Sequence, residues 1–352
     1  MTLAYFTRKG GLIASSIALS TLLFSCSETE TGQTDPTSLN NELQKSNLTL
    51  LTPDSPIYLE NGEKLGQGLN SRATTAPGDD RGRFNISLKF ITPVTDRQRE
   101  IFDEAAARWE RIIIKDVNSI TGPQTGIPSA FVGFPPVIGA GEVLDDLIIE
   151  VAIAPIDGPG RILGQAGPRF YRTSNFLPLT GVMFFDLADL DFLDQLDLFD
   201  DVIVHEMGHV LGVGTAWNSF GRELRKGTNT ADVYFSGETA NKHWAAEGGE
   251  GFLPIENLGG QGTRNSHWRE GILVNELMTG FINLGDNPLS RITAGSMRDL
   301  GYGTAIVGER YELPKGAPGI NPAALMNRTS EGINIAEMET LLEPIGFIVD
   351  NE

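Results

Sequence analysis

The clearest periodic pattern in the chain begins near residue 84, where apolar and polar residues start to alternate. This alternation predicts a half-buried strand at Phe84, Ile86, Leu88 and Phe90. Two apolar runs, at 147–154 and 179–185, predict further strands, and the first run ends at Pro155. Regular structure is therefore expected from about residue 84 onwards, whereas residues 46–80 are expected to have little of it.

Helical spacing follows the first of these strands. Thr95 and Gln98 form a capping-box pattern, and apolar residues then recur at Ile101, Ala105, Trp109 and Ile112. A second helix is expected from about residue 198 to 211, because Asp200 and Asp201 would lie near its N-terminus, where the helix dipole favours acidic residues.

The second half of the chain has fewer regular patterns. Residues 214–266 are rich in Gly, Asn, Thr and Trp, which is typical of a long, loop-dominated insertion. A helix is expected at 290–300 before Gly301, and Asn334 with Glu337 predicts a final helix. Strands and helices in this order predict the α+β class.

Residues 1–25 have the pattern of a signal peptide. Arg8 and Lys9 precede an uncharged run that is shorter than the roughly 20 apolar residues of a membrane-spanning helix. The run ends in Leu23-Phe24-Ser25-Cys26, which is similar to the signal of bacterial lipoproteins. This similarity predicts a lipidated Cys26 and a location at the bacterial cell envelope, on the periplasmic side or the cell surface. The alternative is an ordinary signal peptide and a secreted protein.

The rest of the chain divides into three parts. Residues 26–80 are expected to be a flexible tether or a short propeptide-like segment, because they are polar and contain little apolar patterning. Residues 81–305 are expected to form the main domain, and 306–352 a tail to which the sequence assigns no role. Cys26 is the only cysteine, which excludes a disulfide framework.

The net charge of −19 bears on the choice of partner. Nucleic-acid binding depends on Lys and Arg contacts to phosphates, so such an acidic chain argues against that class of partner.

The most informative stretch is His205-Glu206-Met207-Gly208-His209, followed by Gly212. Histidines four residues apart lie on one face of a helix, so both imidazoles can reach one metal ion. Glu206 lies beside them, where it can take a proton from an activated water molecule. The pattern predicts a zinc hydrolase, and the alternative is a pair of surface histidines on an amphipathic helix.

A catalytic zinc ion usually has three protein ligands, so a third residue is needed. The chain contains four histidines, and outside the motif only His243 and His267 remain. Both are candidates on the residues alone. His243 lies in a segment with helical character and is expected to be a surface residue.

The motif and its surroundings resemble the leishmanolysin family of metzincin peptidases. The resemblance covers roughly residues 84–305 and includes Gly262-Thr263-Arg264-Asn265-Ser266-His267-Trp268 and Asn275-Glu276-Leu277-Met278-Thr279-Gly280. In this family an insertion delays the third histidine, which implies His267 as the third zinc ligand. It also implies a metzincin-like fold, with Met278 in a tight turn under the metal, whereas Met278 alone would more often be a core residue.

The resemblance implies a zinc-dependent endopeptidase that acts on proteins or peptides, with Zn²⁺ as cofactor and Glu206 as the catalytic base. Two alternatives belong to other classes: an envelope-anchored binding or adhesion protein on the same fold, and a zinc hydrolase of cell-wall material. An intact Glu206 argues against a purely structural zinc site.

Overall fold

The computed structural model describes residues 48–62, 82–228, 230–260, 263–313 and 332–350. Their helices are α1 (Asp96–Ile112), α2 (Leu187–Gln195), α3 (Phe199–Leu211), α4 (Glu238–Ala246), α5 (Glu270–Leu273) and α6 (Arg291–Asp299), with a 3₁₀ turn at Ile335–Glu337. Their strands are β1 (Ile57–Glu60), β2 (Ile86–Phe90), β3 (Ile120–Thr121), β4 (Val143–Leu144), β5 (Leu147–Ala154), β6 (Gly164–Arg172), β7 (Pro178–Asp186), β8 (Arg225–Lys226), β9 (Tyr234–Phe235), β10 (Leu253–Pro254), β11 (Ile282–Asn283), β12 (Gly332–Ile333), β13 (Glu339–Leu341) and β14 (Gly346–Val349).

The main sheet is mixed and has the order β1-β14-β6-β7-β5-β2, with β13 also paired to β6. Strands β6 and β7 are antiparallel, and all other neighbours in this sheet run parallel. The protein therefore contains both helices and strands, as expected, and its main sheet combines parallel and antiparallel pairs.

The strands expected from apolar runs are confirmed as β5 and β7, and every residue of both is buried. A strand covered on both faces has no polar face, which explains why these sequences are largely apolar and do not alternate. Strand β6 lies between β7 and the C-terminal strands and was not expected from the sequence. It contains two glycines and Pro168, residue types that are depleted in strands, and its pairing with β7 shifts register after Pro168.

The two long helices pack against each other. The capping box at the start of α1 is confirmed, since the Gln98 backbone N–H donates to Thr95 Oγ1 over 3.2 Å and Gln98 Oε1 accepts from the Thr95 N–H over 2.9 Å. On the buried face of α1, the Trp109 indole donates to the Val204 carbonyl of α3 over 2.9 Å. This contact fixes α3 against α1 in the main core.

The ends of the described chain differ from the sequence expectations. Residues 57–60 fall within the expected tether, yet they form β1 in the main sheet and pair with β14. The final helix expected near Asn334 is only a 3₁₀ turn, and β13 and β14 follow it. These strands are short, and their partners lie far away in the sequence, so local patterning does not reveal them.

The insertion between Gly212 and His267 is more ordered than a loop. It contains α4 and a small sheet with the order β10-β9-β8. Trp217, near its start, stacks on Trp268, just beyond its end, with ring centroids 4.7 Å apart. The insertion therefore returns to the helix end from which it departs. In the described parts of the chain, no helix has the length and apolar character needed to span a membrane.

Candidate metal centre and active site

Helix α3 carries the motif into the core. His205, Glu206 and His209 are fully buried on it. The helix ends as expected at Gly212, whose φ of 115° lies in the left-handed region that glycine adopts without strain. Thr215 Oγ1 donates to the His209 carbonyl over 2.7 Å, which satisfies one backbone acceptor in the last turn.

The chain returns to this helix through His267. The His267 carbonyl accepts from the Glu256 N–H over 2.9 Å, and the next residue, Trp268, donates its N–H to the Met278 carbonyl over 2.9 Å. These backbone hydrogen bonds hold His267 between the insertion and the segment that contains Met278.

The structure brings the three predicted histidines together. The Nε2 atoms of His205, His209 and His267 lie 3.0–3.1 Å from one another. The Nδ1 atoms of His205 and His209 lie 2.7 Å and 2.9 Å from the carbonyl oxygens of Leu277 and Val213. Since a carbonyl oxygen can only accept, both Nδ1 atoms carry the proton and both Nε2 atoms present a lone pair.

His267 is oriented in a similar way. Its Nδ1 lies 3.1 Å from Ser266 Oγ and 3.3 Å from the Thr263 carbonyl. The Ser266 hydroxyl already lies within hydrogen-bond distance of that same carbonyl. An Nδ1–H on His267 is satisfied here, so its Nε2 also points a lone pair at the other two histidines.

A glutamate that the sequence analysis did not select completes the cluster. Glu339, at the start of β13, is buried with Oε1 3.0 Å from His267 Nε2, and Oε2 3.4 Å from His205 Nε2 and 3.5 Å from His209 Nε2. His205, His209, His267 and Glu339 form one group with metal-ligating atoms close together. No local pattern around Glu339 indicates this role, because only the pairing of β13 with β6 places it there.

Zinc fits this donor set. Three imidazole lone pairs and a carboxylate facing one another repel unless a cation lies between them, and the Glu339 oxygens make no hydrogen bond in the described structure. Nitrogens bound to tetrahedral zinc at about 2.0–2.1 Å would be about 3.3 Å apart, close to the observed separations. The imidazole and carboxylate ligands are those that zinc prefers.

Burial and neighbouring charges shift the pKa values of the ionisable groups around the cluster. Burial, and then the negative charge of Glu339, raise the pKa of Glu206 well above its usual range. Burial opposes ionisation of Glu339 too, but the adjacent histidines outweigh it and hold the pKa of Glu339 well below its ordinary value. Burial lowers the pKa of His205, which keeps the ring available as a neutral ligand.

Glu206 lies beside the first residue of β6. A Cβ built on Gly164, the first residue of β6, would lie 3.6 Å from Glu206 Oε1. Neither Glu206 oxygen has a hydrogen-bond partner among the described residues. A buried carboxyl group without a partner, next to a metal-ligand cluster, has the position expected of a group that exchanges a proton with substrate.

The other predicted residues lie as follows. Met278 is fully buried, and a Cβ built on Gly208 of α3 would lie 2.8 Å from its Sδ, so this methionine packs directly against the motif helix. His243 is partly buried on α4 and is not a member of the metal-ligating group. Cys26 lies outside the described residues.

Comparison with known proteins agrees with this geometry. None of the curated proteins matches the chain. A model of the peptidase family described as leishmanolysin matches residues 114–309, more than half of the chain, including the motif helix, the insertion and His267. Glu339 lies beyond that match. The chain therefore belongs to the leishmanolysin family and is a zinc metallopeptidase.

Proposed function

We propose that this protein is a zinc-dependent endopeptidase of the bacterial cell envelope, in which His205, His209 and His267 hold the metal and Glu206 is the catalytic base. The observation that carries the proposal is the convergence of three Nε2 atoms within 3.1 Å of one another beside a buried carboxyl group. Zinc, when bound, supplies a Lewis acid that polarises the scissile carbonyl and acidifies a water molecule.

The side chains of the site transfer the proton and orient the zinc ligands. Glu206 accepts a proton as water attacks the carbonyl carbon, and then delivers that proton to the nitrogen of the leaving amine. Burial is the main cause of its raised pKa, and a raised pKa makes the carboxylate a stronger base. Leu277, next to Met278, fixes the tautomer of His205, so the proposed role of Met278 is to support the orientation of a zinc ligand.

Glu206→Gln tests the catalytic assignment. The amide has the same size but cannot accept the proton, so we expect zinc binding to persist while casein hydrolysis slows by about 10²–10⁴-fold. Zinc content by mass spectrometry and the rate of peptide release are the two measurements. His243→Ala is the matched control and should leave both unchanged. Near-normal turnover by Glu206→Gln would contradict the mechanism, and hydrolysis of cell-wall fragments but not of casein would favour the alternative substrate class.

The envelope location depends on a separate proposal, that Cys26 is lipidated. Its support is the uncharged run that ends at the only cysteine of the chain. Mass spectrometry of the protein from the membrane fraction of a bacterial host should find a diacylglycerol-modified Cys26 as the first residue. Cys26→Ala should shift the protein to the soluble fraction. An unmodified Cys26, or a mature chain that begins elsewhere, would leave an ordinary secreted protein.

A further inference from the structure

One segment crosses the metal centre from one wall of the site to the other. This segment, residues 332–342, is called the strap. At its start β12 pairs antiparallel with β11, with Ile333 opposite Ile282. The Ala336 N–H then donates to the Gly280 carbonyl over 3.2 Å, close to Met278 in the sequence. The strap is therefore attached first to the part of the chain that carries the third histidine.

The strap next attaches to the opposite wall, which is β6. The Leu163 N–H donates to the Met338 carbonyl over 2.7 Å, and the Leu342 N–H donates to the Ala166 carbonyl over 2.8 Å. Between these hydrogen bonds, Glu339 is opposite Gly164 in a parallel register. Gly164 is also the residue whose Cβ position lies beside Glu206.

The first half of β6, residues 164–166, offers an edge on which an extended peptide could add as a further strand. One edge of β6 is paired with β7, so the added strand would take the other edge, next to Glu206. The strap uses that edge, so a substrate backbone has no partner there while the strap is in place.

The side chain of Glu339 occupies the metal centre, just as the backbone of the strap occupies the edge of β6. Three histidines and one carboxylate make a complete tetrahedral set, whereas a catalytic zinc site keeps one position open for water. Glu339 is fully buried and within 3.5 Å of all three Nε2 atoms. It lies where the fourth ligand belongs, and the strap that carries it lies outside the part of the chain that matches the family.

We propose that the strap is a built-in occupant of the edge of β6 on which substrate binds and that Glu339 is a displaceable fourth zinc ligand, which together hold most molecules of the peptidase in a latent state. The inference rests on the proposed endopeptidase function. An extended peptide and a water molecule replace the strap and Glu339 when the enzyme acts.

The test measures access to the metal separately from catalysis. Acetohydroxamate, a small chelating probe of an open zinc or cobalt position, is titrated into the full chain loaded with Co²⁺, and the visible spectrum reports its binding. We expect Glu339→Ala and Glu339→Gln to bind the probe at least about tenfold more tightly than the unmodified protein, because the probe no longer competes with a protein ligand. Glu337→Gln, an exposed neighbour on the same strap, is the matched control and should bind like the unmodified protein.

Casein hydrolysis is measured alongside for the zinc-loaded unmodified protein and for the zinc-loaded Glu339 variants, each with and without Glu206→Gln. Faster hydrolysis by the Glu339 variants, lost again when Glu206 is replaced, would support latency. Tighter probe binding without any hydrolysis would keep Glu339 as a displaceable metal ligand, but it would contradict both the latent state and the proposed function. Equal probe binding by all forms would overturn the inference, and hydrolysis by the unmodified protein would then leave the proposed function intact. Glu339→Gln keeps the size of the side chain, so it remains informative if Glu339→Ala fails to fold.

Discussion

Two regions supply the histidines of this site, and they place them by different means. Helix α3 sets His205 and His209 four residues apart, so the spacing of the two rings follows from helix geometry alone. The segment from Thr263 to Ser290 has one short helix and the two-residue strand β11, and it places His267 outside both of them by backbone hydrogen bonds.

A buried carboxylate organises that second region. Glu276 Oε2 accepts from the Met278 N–H over 2.7 Å, and its Oε1 accepts from the Ser290 hydroxyl over 2.6 Å and the Thr293 hydroxyl over 2.5 Å. Burial raises the pKa of Glu276, and these hydrogen bonds oppose that rise. A single polar side chain thus connects the methionine turn to the start of α6.

The comparison indicates that ligand placement is robust on the helix and depends on a polar network in the returning segment. Apolar packing around α3 can loosen without changing the spacing of two ligands on one helix. Loss of a hydrogen bond in the returning segment moves a ligand, because no regular element fixes it there.

The largest expected effect comes from the ligands themselves. His209→Ala and His267→Ala should both lose zinc and reduce casein hydrolysis to background, since two histidines and a displaceable carboxylate hold the metal weakly. Zinc content after dialysis and peptide release measure the two losses. Zinc retained by His267→Ala, with zinc lost from His243→Ala, would show that the third ligand has been assigned to the wrong residue.

A substitution in the polar network and a substitution in α3 should have different effects on zinc affinity. We expect Glu276→Ala to lower the free energy of unfolding by about 2–4 kcal/mol, because it leaves buried donors without an acceptor. It should also weaken zinc binding by about 10–100-fold. Ile203→Ala on α3 should cost a similar free energy of unfolding, about 2–5 kcal/mol, with zinc affinity almost unchanged.

Urea denaturation of the metal-free proteins and competition with a zinc indicator provide these two quantities. The comparison fails if both variants lose zinc affinity to the same extent, because ligand placement would then follow overall stability and not the local network.

The smallest expected effect lies at the end of α3. Thr215→Val removes the hydroxyl that donates to the His209 carbonyl but keeps the shape of the side chain. The free energy of unfolding should fall by about 0.5–1.5 kcal/mol, and zinc affinity should not change. A measurable loss of zinc from this variant would show that the helix end, too, needs a hydrogen bond to hold its histidine.

The same difference explains how much could be predicted from the sequence. His205, Glu206 and His209 follow from helical spacing, and β5 and β7 follow from apolar runs that are buried on both faces. The third histidine needed a family resemblance, because the residues alone left His243 and His267 as candidates. Glu339 could not be found, since its position depends on the pairing of β13 with a strand that itself contains glycines and a proline.

The order of the strands in the main sheet also has a consequence for how the protein is made. Strand β1, from the beginning of the described chain, has its place only beside β14, and β14 lies between β1 and β6. A chain synthesised from its N-terminus therefore exposes the edge of β6 until β13 and β14 have been added. Until β14 is present, β1 has no partner in the sheet, whereas the strap, which precedes β14, pairs directly with β6. His205, Glu206, His209 and His267 all precede the strap in the sequence, so the catalytic groups are synthesised before the segment that covers them.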